Sequence, residues 1–243
     1  MESFRAHVEW LSQHANIIPA ERALESHHRP VRPSVALTFD DGYADVFEHA
    51  LPLLVEHRLP ATLLVTVGLL EREPDVLERF VRSGSIASPK DALTWSQLAE
   101  VADAGFTIGS HSWSHRNLAL LPPPEVEEEA RRSREALEDR LQRPVTAWAY
   151  PFGRPGRHWR AETKQAVSSA GYRQAFTTLP RRVKVDDDPL ALPRFSLGEG
   201  DLVGMANRVR GAWDLAGAIE ERVPEWAIPL VWPKKSSPET PRR

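Results

Sequence analysis

The residues best suited to chemistry are two adjacent carboxylates at the end of an apolar run. The segment SVALTFDDGYADVF is largely apolar up to Phe39 and continues with Asp40, Asp41 and Gly42. Two explanations are open for this pair. Asp and Gly both favour tight turns, so the motif could serve the backbone alone. Alternatively, the carboxylates serve a bound cation or catalysis, because a cation would relieve the repulsion between neighbouring negative charges.

A second group of candidate residues is the histidine pair in HSWSH, His111 and His115, which follows the apolar run FTIG. Two imidazoles four residues apart can reach one ion if the segment makes a helical turn. With one carboxylate they form a usual ligand set for a catalytic zinc that keeps open positions for water. The alternative is a pair of unrelated surface histidines. Because the chain has no cysteine, any zinc site in it must use histidine and carboxylate.

The elements that must position these residues alternate between strand and helix. Strand-like runs are SVALTF, ATLLVTVGLL, FTIGSH, VTAWAYPFG, YRQAFTT and, as a sixth, LALPRFSL. Helical patterns lie between them, over ADVFEHALPLLVEHRL, TWSQLAEVADAG, PPPEVEEEARRSREALEDRL and RAETKQAVSSAG, and after them over DLVGMANRVRGAW. The alternation predicts an α/β fold with a parallel sheet, as a barrel or partial barrel in a single domain. Functional residues in such folds gather where strands end, and both candidate groups lie there, as does YPFG.

Composition restricts the class of protein further. The chain has 243 residues, of which 41% are hydrophobic, so it can build a sizeable core. The net charge of -3 gives no indication of nucleic-acid binding. No apolar run approaches the ~20 residues of a membrane-spanning helix, and the N-terminal segment lacks the apolar stretch of a signal peptide. We therefore expect no nucleic-acid partner, no membrane span and, by default, a cytoplasmic location.

Three motifs in this order resemble those of polysaccharide deacetylases, the NodB homology domain of carbohydrate esterase family four. TFDDG matches the first motif, HSWSH matches the second, and AYPFG resembles the third in the form found in biofilm-polysaccharide deacetylases. The resemblance covers roughly residues 34–197. It implies a distorted (β/α) barrel of the NodB-homology type over 34–230. A helical lead-in over 1–33 would precede this domain, and a disordered tail over 231–243 would follow it.

The resemblance also implies different roles for the two carboxylates. It assigns Asp41, His111 and His115 to a divalent metal, with zinc expected first and cobalt or nickel as alternatives. Asp40 stays off the metal and acts as the general base. The metal would polarise the acetamide carbonyl and acidify the attacking water. The backbone N–H of Phe152 would then donate to the oxyanion.

One departure from the family pattern concerns the arginine that often opens the third motif and orients the base. Ala149 stands in that place, and Arg194 in LALPRFSL is the candidate substitute. Alternation along a strand would turn Arg194 inward and pack Phe195 and Leu197 outward on helices. A buried guanidinium needs a carboxylate, and Asp40 is the one not assigned to metal. The alternative is an exposed arginine on an edge strand.

A second departure concerns the general acid. Many members supply a late histidine, but no histidine follows His158 in this chain. Either another residue protonates the leaving amine, or Asp40 returns the proton that it took. Two aromatic residues are candidates for substrate binding. Trp113 could stack on a sugar ring or serve the core, and Tyr43 could line the pocket.

The predicted function is a metal-dependent hydrolase that removes N-acetyl groups from an amino-sugar glycan or glycan precursor, so the expected partner is carbohydrate. One alternative is hydrolysis of another amide, such as a formamide or cyclic ureide, on the same fold. The other is a catalytically silent carbohydrate-binding protein. The intact carboxylate and histidine motifs argue against a catalytically silent protein, whereas Ala149 and the missing late histidine argue for one.

Overall fold

The computed structural model describes residues 2–25, 31–198, 200–212 and 214, and its main feature is a curled parallel sheet with helices around it. Two short strands, β1 (Asn16–Ile17) and β2 (Ser34–Val35), form a separate parallel ladder. The main sheet contains β3 (Thr38–Asp41), β4 (Thr62–Val65), β5 (Thr107–Ser110), β6 (Ala147–Ala149) and β7 (Gln174–Phe176). Each of these five strands pairs in parallel with the next one along the chain.

The predicted single-domain α/β barrel fold is therefore confirmed, in the form of a half barrel. Among the described residues β7 does not pair with β3, so the barrel is open on that side. The described helices are α1 (Glu2–His14), α2 (Leu51–Glu56), α3 (Val67–Leu70), α4 (Pro74–Arg82), α5 (Trp95–Asp103), α6 (Pro123–Leu141), α7 (Ala161–Ser169) and α8 (Leu202–Val209). Because all four strand pairings are parallel, the carboxyl ends of the five strands lie along one edge of the sheet.

Local sequence explains where the helices begin and end. At the start of α5, the hydroxyl of Thr94 accepts a hydrogen bond from the Gln97 N–H at 3.3 Å, and the Gln97 side chain accepts one from the Thr94 N–H at 2.9 Å. This reciprocal cap satisfies two N–H groups that the helix itself leaves free. Gly105 follows the helix with a φ of 91°, a left-handed angle that glycine adopts without steric cost. α6 begins at Pro123, which lacks only an N–H that no helix would use at that position.

The core lies between the sheet and the helices and holds the strand ends in place. All four residues of β4 are buried, as expected for an inner strand of a parallel sheet. The ring of Trp148 in β6 packs 4.9 Å from the ring of Tyr172. Buried residues of this cluster come from strands and helices alike: Leu54, Leu63, Val65, Leu98, Val101, Ile108, Leu137 and Val167. The loops at the carboxyl edge are thus built on a packed support.

Two elements differ from the prediction, and proline explains both. The helix predicted over ADVFEHALPLLVEHRL begins as a π-helical turn, Val46–Ala50, and becomes α-helical only over α2. Pro52 has no N–H to donate and its ring crowds the preceding turn, so the backbone widens there. The predicted sixth strand is reduced to one bridge between Phe176 and Leu192. Pro193 cannot donate a ladder hydrogen bond, which ends the pairing at once.

The segment after that bridge leaves the sheet. Leu197 is 44% exposed, so the prediction that it packs outward on helices is wrong, while Phe195 is half-buried. The predicted helical lead-in contains α1, which buries Val8 in the main core and packs Leu11 against Met205 of α8. The predicted tail and the end of the predicted domain lie outside the described residues. No helix in the described part of the chain has the length and apolarity needed to cross a bilayer.

Candidate active site

Strand register brings the two predicted groups of residues together. Asp41 and Ser110 are the last residues of β3 and β5, and both pair with Val65 of the strand between them. His111 follows Ser110 directly. As a result, Asp41 Oδ1 lies 3.6 Å from His111 Nε2 and 3.3 Å from His115 Nε2. The ligand atoms of the three residues all lie within 4.8 Å of one another.

The backbone around this cluster adopts angles that L-residues rarely take. Asp41, Ser112, His115 and Phe152 have φ values of 72°, 69°, 53° and 62°. Such left-handed conformations cost about 1–3 kcal/mol each and persist where the surrounding structure enforces them. Gly42 follows with a φ of 91°, so the turn that the Asp-Gly pair predicts is present as well. The turn and the cluster of ligand atoms occur together, and the sequence alternatives do not exclude each other.

Both imidazoles direct Nε2 toward Asp41. The Nδ1 atom of His111 lies 2.9 Å from the carbonyl oxygen of Ala149. Because a carbonyl only accepts, Nδ1 of His111 carries a hydrogen, and Nε2, directed at Asp41, is the ring nitrogen left to bind a metal. Burial, followed by the positive charge of a protonated His111, lowers the pKa of His115 to about 3, so the His115 ring is neutral at neutral pH. Ala149 therefore serves the site through its carbonyl group, although its side chain cannot replace the missing arginine.

The residues present fit a divalent cation. Asp41 Oδ1 is buried and has no hydrogen-bond partner among the described residues, and burial raises the pKa of this carboxyl. An unsatisfied buried oxygen of this kind is costly, whereas a cation would satisfy it. Ligand atoms about 2.0–2.1 Å from a tetrahedral zinc are about 3.4 Å apart. The observed separations of 3.3 and 3.6 Å between oxygen and nitrogen match that spacing.

Asp40 is held by an arginine from the far end of the domain. Arg194 donates to both carboxylate oxygens of Asp40, at 2.8 Å each, and also to Thr38 Oγ1 and the Thr177 carbonyl. Burial raises the pKa of Asp40, but Arg194 and then His111 outweigh it, so the pKa lies below its ordinary value. The contact predicted between Arg194 and Asp40 is present, and it keeps Asp40 ionised and oriented.

The loop after β6 brings the ring of Phe152 against His115 at the site. Gly153 follows with a φ of 71°, and a Cβ on it would lie 2.5 Å from Thr178, so only glycine fits. Thr178 donates from its hydroxyl to the Phe152 carbonyl at 3.0 Å and from its N–H to the Gly153 carbonyl at 3.1 Å. Within the described structure the Phe152 N–H has no hydrogen-bond partner. The Phe152 ring packs 4.8 Å from His115 and the side chain remains 49% exposed.

The interpretation of Trp113 as a sugar-stacking residue is wrong. Its side chain is 7% exposed, and its Nε1 donates to Glu73 at 2.8 Å. The guanidinium of Arg132 lies 3.4 Å from the ring centroid, so one face is covered. Tyr43 does lie near the site, because its ring packs 6.2 Å from the ring of Phe80, which packs 5.2 Å from the ring of His115. Its role in substrate binding stays a prediction.

Glu129 was not among the residues selected from sequence. It lies on the inner face of α6 together with Val126, Ala130 and Leu137, at helical spacing. An acidic residue in an otherwise apolar or small stripe is the signal that could have identified it. Its carboxylate contacts the turn between the two histidines.

Fold and site together define a class of protein: a β/α half barrel with carboxylate and imidazole side chains grouped at the carboxyl ends of its strands. Residues 27–175, more than half of the chain, match the family model described as polysaccharide deacetylase. The chain belongs to the polysaccharide deacetylase family.

Solved structures and curated relatives agree with this assignment. The fold is similar to that of the Streptococcus pyogenes deacetylase PplD in complex with acetate (TM-score 0.71, 23% identity, 86% of each chain covered). It is also similar to that of IcaB from Ammonifex degensii (TM-score 0.69, 21% identity, 86% of this chain and 89% of that chain). A Bacillus subtilis (strain 168) protein with the provisional name polysaccharide deacetylase YxkH is 28% identical over 203 residues, 82% of this chain. The chain spans 65% of the length of YxkH and less of the other curated relatives that it matches.

Proposed function

We propose that this protein is a metal-dependent hydrolase that removes N-acetyl groups from an amino-sugar glycan or glycan precursor. The observation that carries the proposal is the different environment of two adjacent carboxylates. Asp41 has a buried oxygen that no donor among the described residues contacts and that faces the Nε2 atoms of two imidazoles, whereas Asp40 is ionised and held by an arginine. Membership of the polysaccharide deacetylase family supports the substrate class.

Asp41, His111 and His115 would hold the cation, with zinc expected first and cobalt or nickel as alternatives. When bound, a divalent cation supplies polarisation of the acetamide carbonyl and a lowered pKa for water. Asp40 accepts the proton of the attacking water on a carboxylate oxygen. Each of its oxygens uses one lone pair for Arg194, so each retains acceptor capacity toward the substrate side.

The N–H of Phe152 donates to the oxygen on which negative charge develops. Its loop is held by Thr178, so this donor needs little reorganisation during the reaction, which is the property that makes oxyanion stabilisation effective.

The exposed ring of Phe152 takes the place of Trp113 as the candidate for contact with a sugar. We expect Phe152→Ala to raise KM for oligosaccharides about 10-fold, the order of one lost aromatic contact, and to change kcat less.

Protonation of the leaving amine is assigned to Asp40. No histidine follows His158 in the chain, so the late histidine of many family members has no counterpart. An Asp40 with a lowered pKa gives up its proton readily once protonated. Asp40 thus takes the proton from water and returns it to the amine, which leaves the carboxylate ready for the next cycle.

The pairing of Arg194 with Asp40 weakens one of the two grounds for a catalytically silent carbohydrate-binding protein. The missing arginine of the third motif was such a ground, and an arginine from elsewhere contacts the same carboxylate. Nothing in the described residues favours hydrolysis of a formamide or cyclic ureide.

The test is acetate release from N-acetylglucosamine oligomers by protein stripped with a chelator and reloaded with zinc, cobalt or nickel. We expect activity only after reloading, and activity lower by about 10²–10⁴-fold in Asp40→Asn loaded with the same metal. Formamide and cyclic ureide substrates run in parallel address the alternative amides. Binding of the oligomers without acetate release at any metal would contradict the proposal and favour the silent protein.

A further inference from the structure

Glu129 is a buried carboxylate outside the group of residues proposed to hold metal or proton. Its side chain is 5% exposed, and an ionised carboxylate is costly to bury unless donors surround it. Its neighbours on the same face of α6 are Val126, Ala130, Ser133 and Leu137, which contribute to the packed interior. A charged residue in this stripe needs specific partners.

Those partners belong to the turn between the two candidate histidine ligands. Glu129 Oε2 accepts hydrogen bonds from the backbone N–H groups of Trp113 at 3.0 Å and Ser114 at 2.8 Å. Glu129 Oε1 accepts from the hydroxyl of Ser114 at 2.5 Å and from the guanidinium of Arg116 at 3.1 Å. The carboxylate therefore binds the backbone of the turn directly.

The opposite side of the turn is held by another part of the fold. The carbonyl oxygens of residues 112–114 accept hydrogen bonds, in order, from the N–H of Val67, the N–H of Gly68 and the guanidinium of Arg79. The Val67 and Gly68 bonds are 3.2 and 2.8 Å long. A Cβ at Gly68 would lie 2.7 Å from the Trp113 carbonyl oxygen, so the approach is tight. The turn is thus clamped between α3–α4 on its carbonyl side and Glu129 on its N–H side.

The clamp matters because the turn is strained. Ser112 and His115 both have left-handed φ angles, 69° and 53°. The N–H groups of Ser112 and His115 are bonded to the hydroxyls of Ser110 and Ser112, whereas those of residues 113 and 114 depend on Glu129. Without Glu129 the middle of the turn loses its acceptor, and relaxation there toward ordinary angles would alter the separation of the two imidazoles. Those rings now stand 4.8 Å apart between centroids, with both Nε2 atoms directed at Asp41.

We propose that Glu129 is a positioning residue for the metal centre: it fixes the turn that sets the distance between His111 and His115 and thereby sets metal affinity. This inference rests on the proposed function, because it takes the two histidines as ligands. Glu129 has no hydrogen bond to Asp40, Asp41 or either histidine among the described residues, and it acts through the turn by its bonds to the backbone of residues 113 and 114, to the Ser114 hydroxyl and to Arg116.

The experiment measures binding of Co²⁺ and of Zn²⁺ to metal-stripped full-length protein by calorimetry, together with the visible absorption of the Co²⁺ form. For Glu129→Ala we expect affinity to fall about 10–100-fold, the usual effect of losing a group that supports metal ligands, and the Co²⁺ spectrum to change. For Glu129→Gln we expect a smaller loss, because its amide oxygen still accepts from both N–H groups. The matched control is Glu125→Ala, which removes the other, exposed partner of Arg116 and leaves the turn untouched. Its affinity should stay within about twofold.

The outcomes separate this inference from the proposed function. Wild-type protein that binds neither metal would overturn the metal centre and this inference together. Wild-type binding with unchanged affinity and spectrum in Glu129→Ala and Glu129→Gln would overturn this inference alone. If circular dichroism shows that Glu129→Ala does not fold, Glu129→Gln decides: weakened binding with an altered spectrum supports the role, and unchanged binding refutes it.

Discussion

Replacing Arg194 with alanine should disable the general base without loss of metal. The guanidinium spans both oxygens of Asp40 at 2.8 Å, and the two side chains are 14% and 32% exposed. The substitution removes both bonds and lets Asp40 rotate. Among the described residues Arg194 makes no hydrogen bond to the three candidate ligands, so their geometry should remain.

The size of the effect follows from two bounds. Loss of a general base costs about 10²–10⁴-fold in rate, and Arg194 acts only through that base, so the effect cannot exceed this range. A hydrogen bond to a charged group contributes about 1.5–3 kcal/mol, and about 1.4 kcal/mol corresponds to a tenfold change in rate. If alignment of Asp40 depends on one such bond, kcat falls about 10–10²-fold, and this is the expected loss.

The assay measures kcat and KM for acetate release together with bound metal in each variant. Arg194→Lys should be intermediate, because one ammonium cannot reproduce the two parallel bonds of a guanidinium. Added guanidinium should partly restore Arg194→Ala. The control is Arg131→Ala on α6, whose exposed ion pairs with Glu128 and Glu135 lie in solvent. Unchanged kcat in Arg194→Ala at full metal occupancy would refute the reasoning, and loss of metal would assign Arg194 to the metal centre instead.

Three further predictions address the ligands, the base and a separate ion pair. His111→Ala or His115→Ala should each lose bound zinc or cobalt by elemental analysis, and stoichiometric metal in both would contradict the ligand assignment. Asp40→Asn should retain metal and lose about 10²–10⁴-fold in turnover, because an amide cannot take the proton; loss of metal instead would exchange the roles of the two carboxylates. Burial raises the pKa of Asp187, but the ion pair with Arg181 outweighs burial, so the pKa of Asp187 in the folded protein lies below its ordinary value of 3.8. The contribution of this ion pair to stability is present above pH 3.8 and is lost as pH falls through the folded pKa. Asp187→Asn should therefore lower the denaturation midpoint at pH 7 and have a smaller effect near pH 2. Equal effects at the two pH values would contradict this prediction.

Much of the fold could be predicted because it depends on local pattern. Strand-like runs with helical patterns between them indicate a parallel sheet, and β4, β5, β6 and β7 lie inside the runs that the sequence marks, whereas β3 continues two residues past its run to Asp41. The candidate metal centre was also accessible, because its ligands follow strand ends that a parallel sheet must bring to one edge. Even the inward direction of Arg194 follows from alternation, although the segment that carries it is not a regular strand.

The features that could not be predicted depend on contacts distant in the chain. Trp113 lies between two histidines in sequence, which suggested a pocket residue. In the fold, contacts with Glu73, directly before α4, and with Arg132 of α6 help to bury it. The predicted sixth strand ends at Pro193 because proline has no N–H for the ladder. The sequence alone does not show which N–H groups a neighbouring strand would use. Leu197 remains exposed for the same reason, since the chain has left the sheet before reaching it.

The open side of the half barrel gives the Arg194–Asp40 pair a consequence for the order of assembly. The two residues are 154 positions apart, and such non-local contacts form late in folding. All three candidate ligands lie within the first 115 residues, long before Arg194. Under the proposed function, a chain still emerging from the ribosome would therefore bind its metal before Arg194 orients Asp40. Turnover would begin only after the last third of the domain has folded, when Arg194 bonds both to Asp40 of β3 and to the Thr177 carbonyl directly after β7.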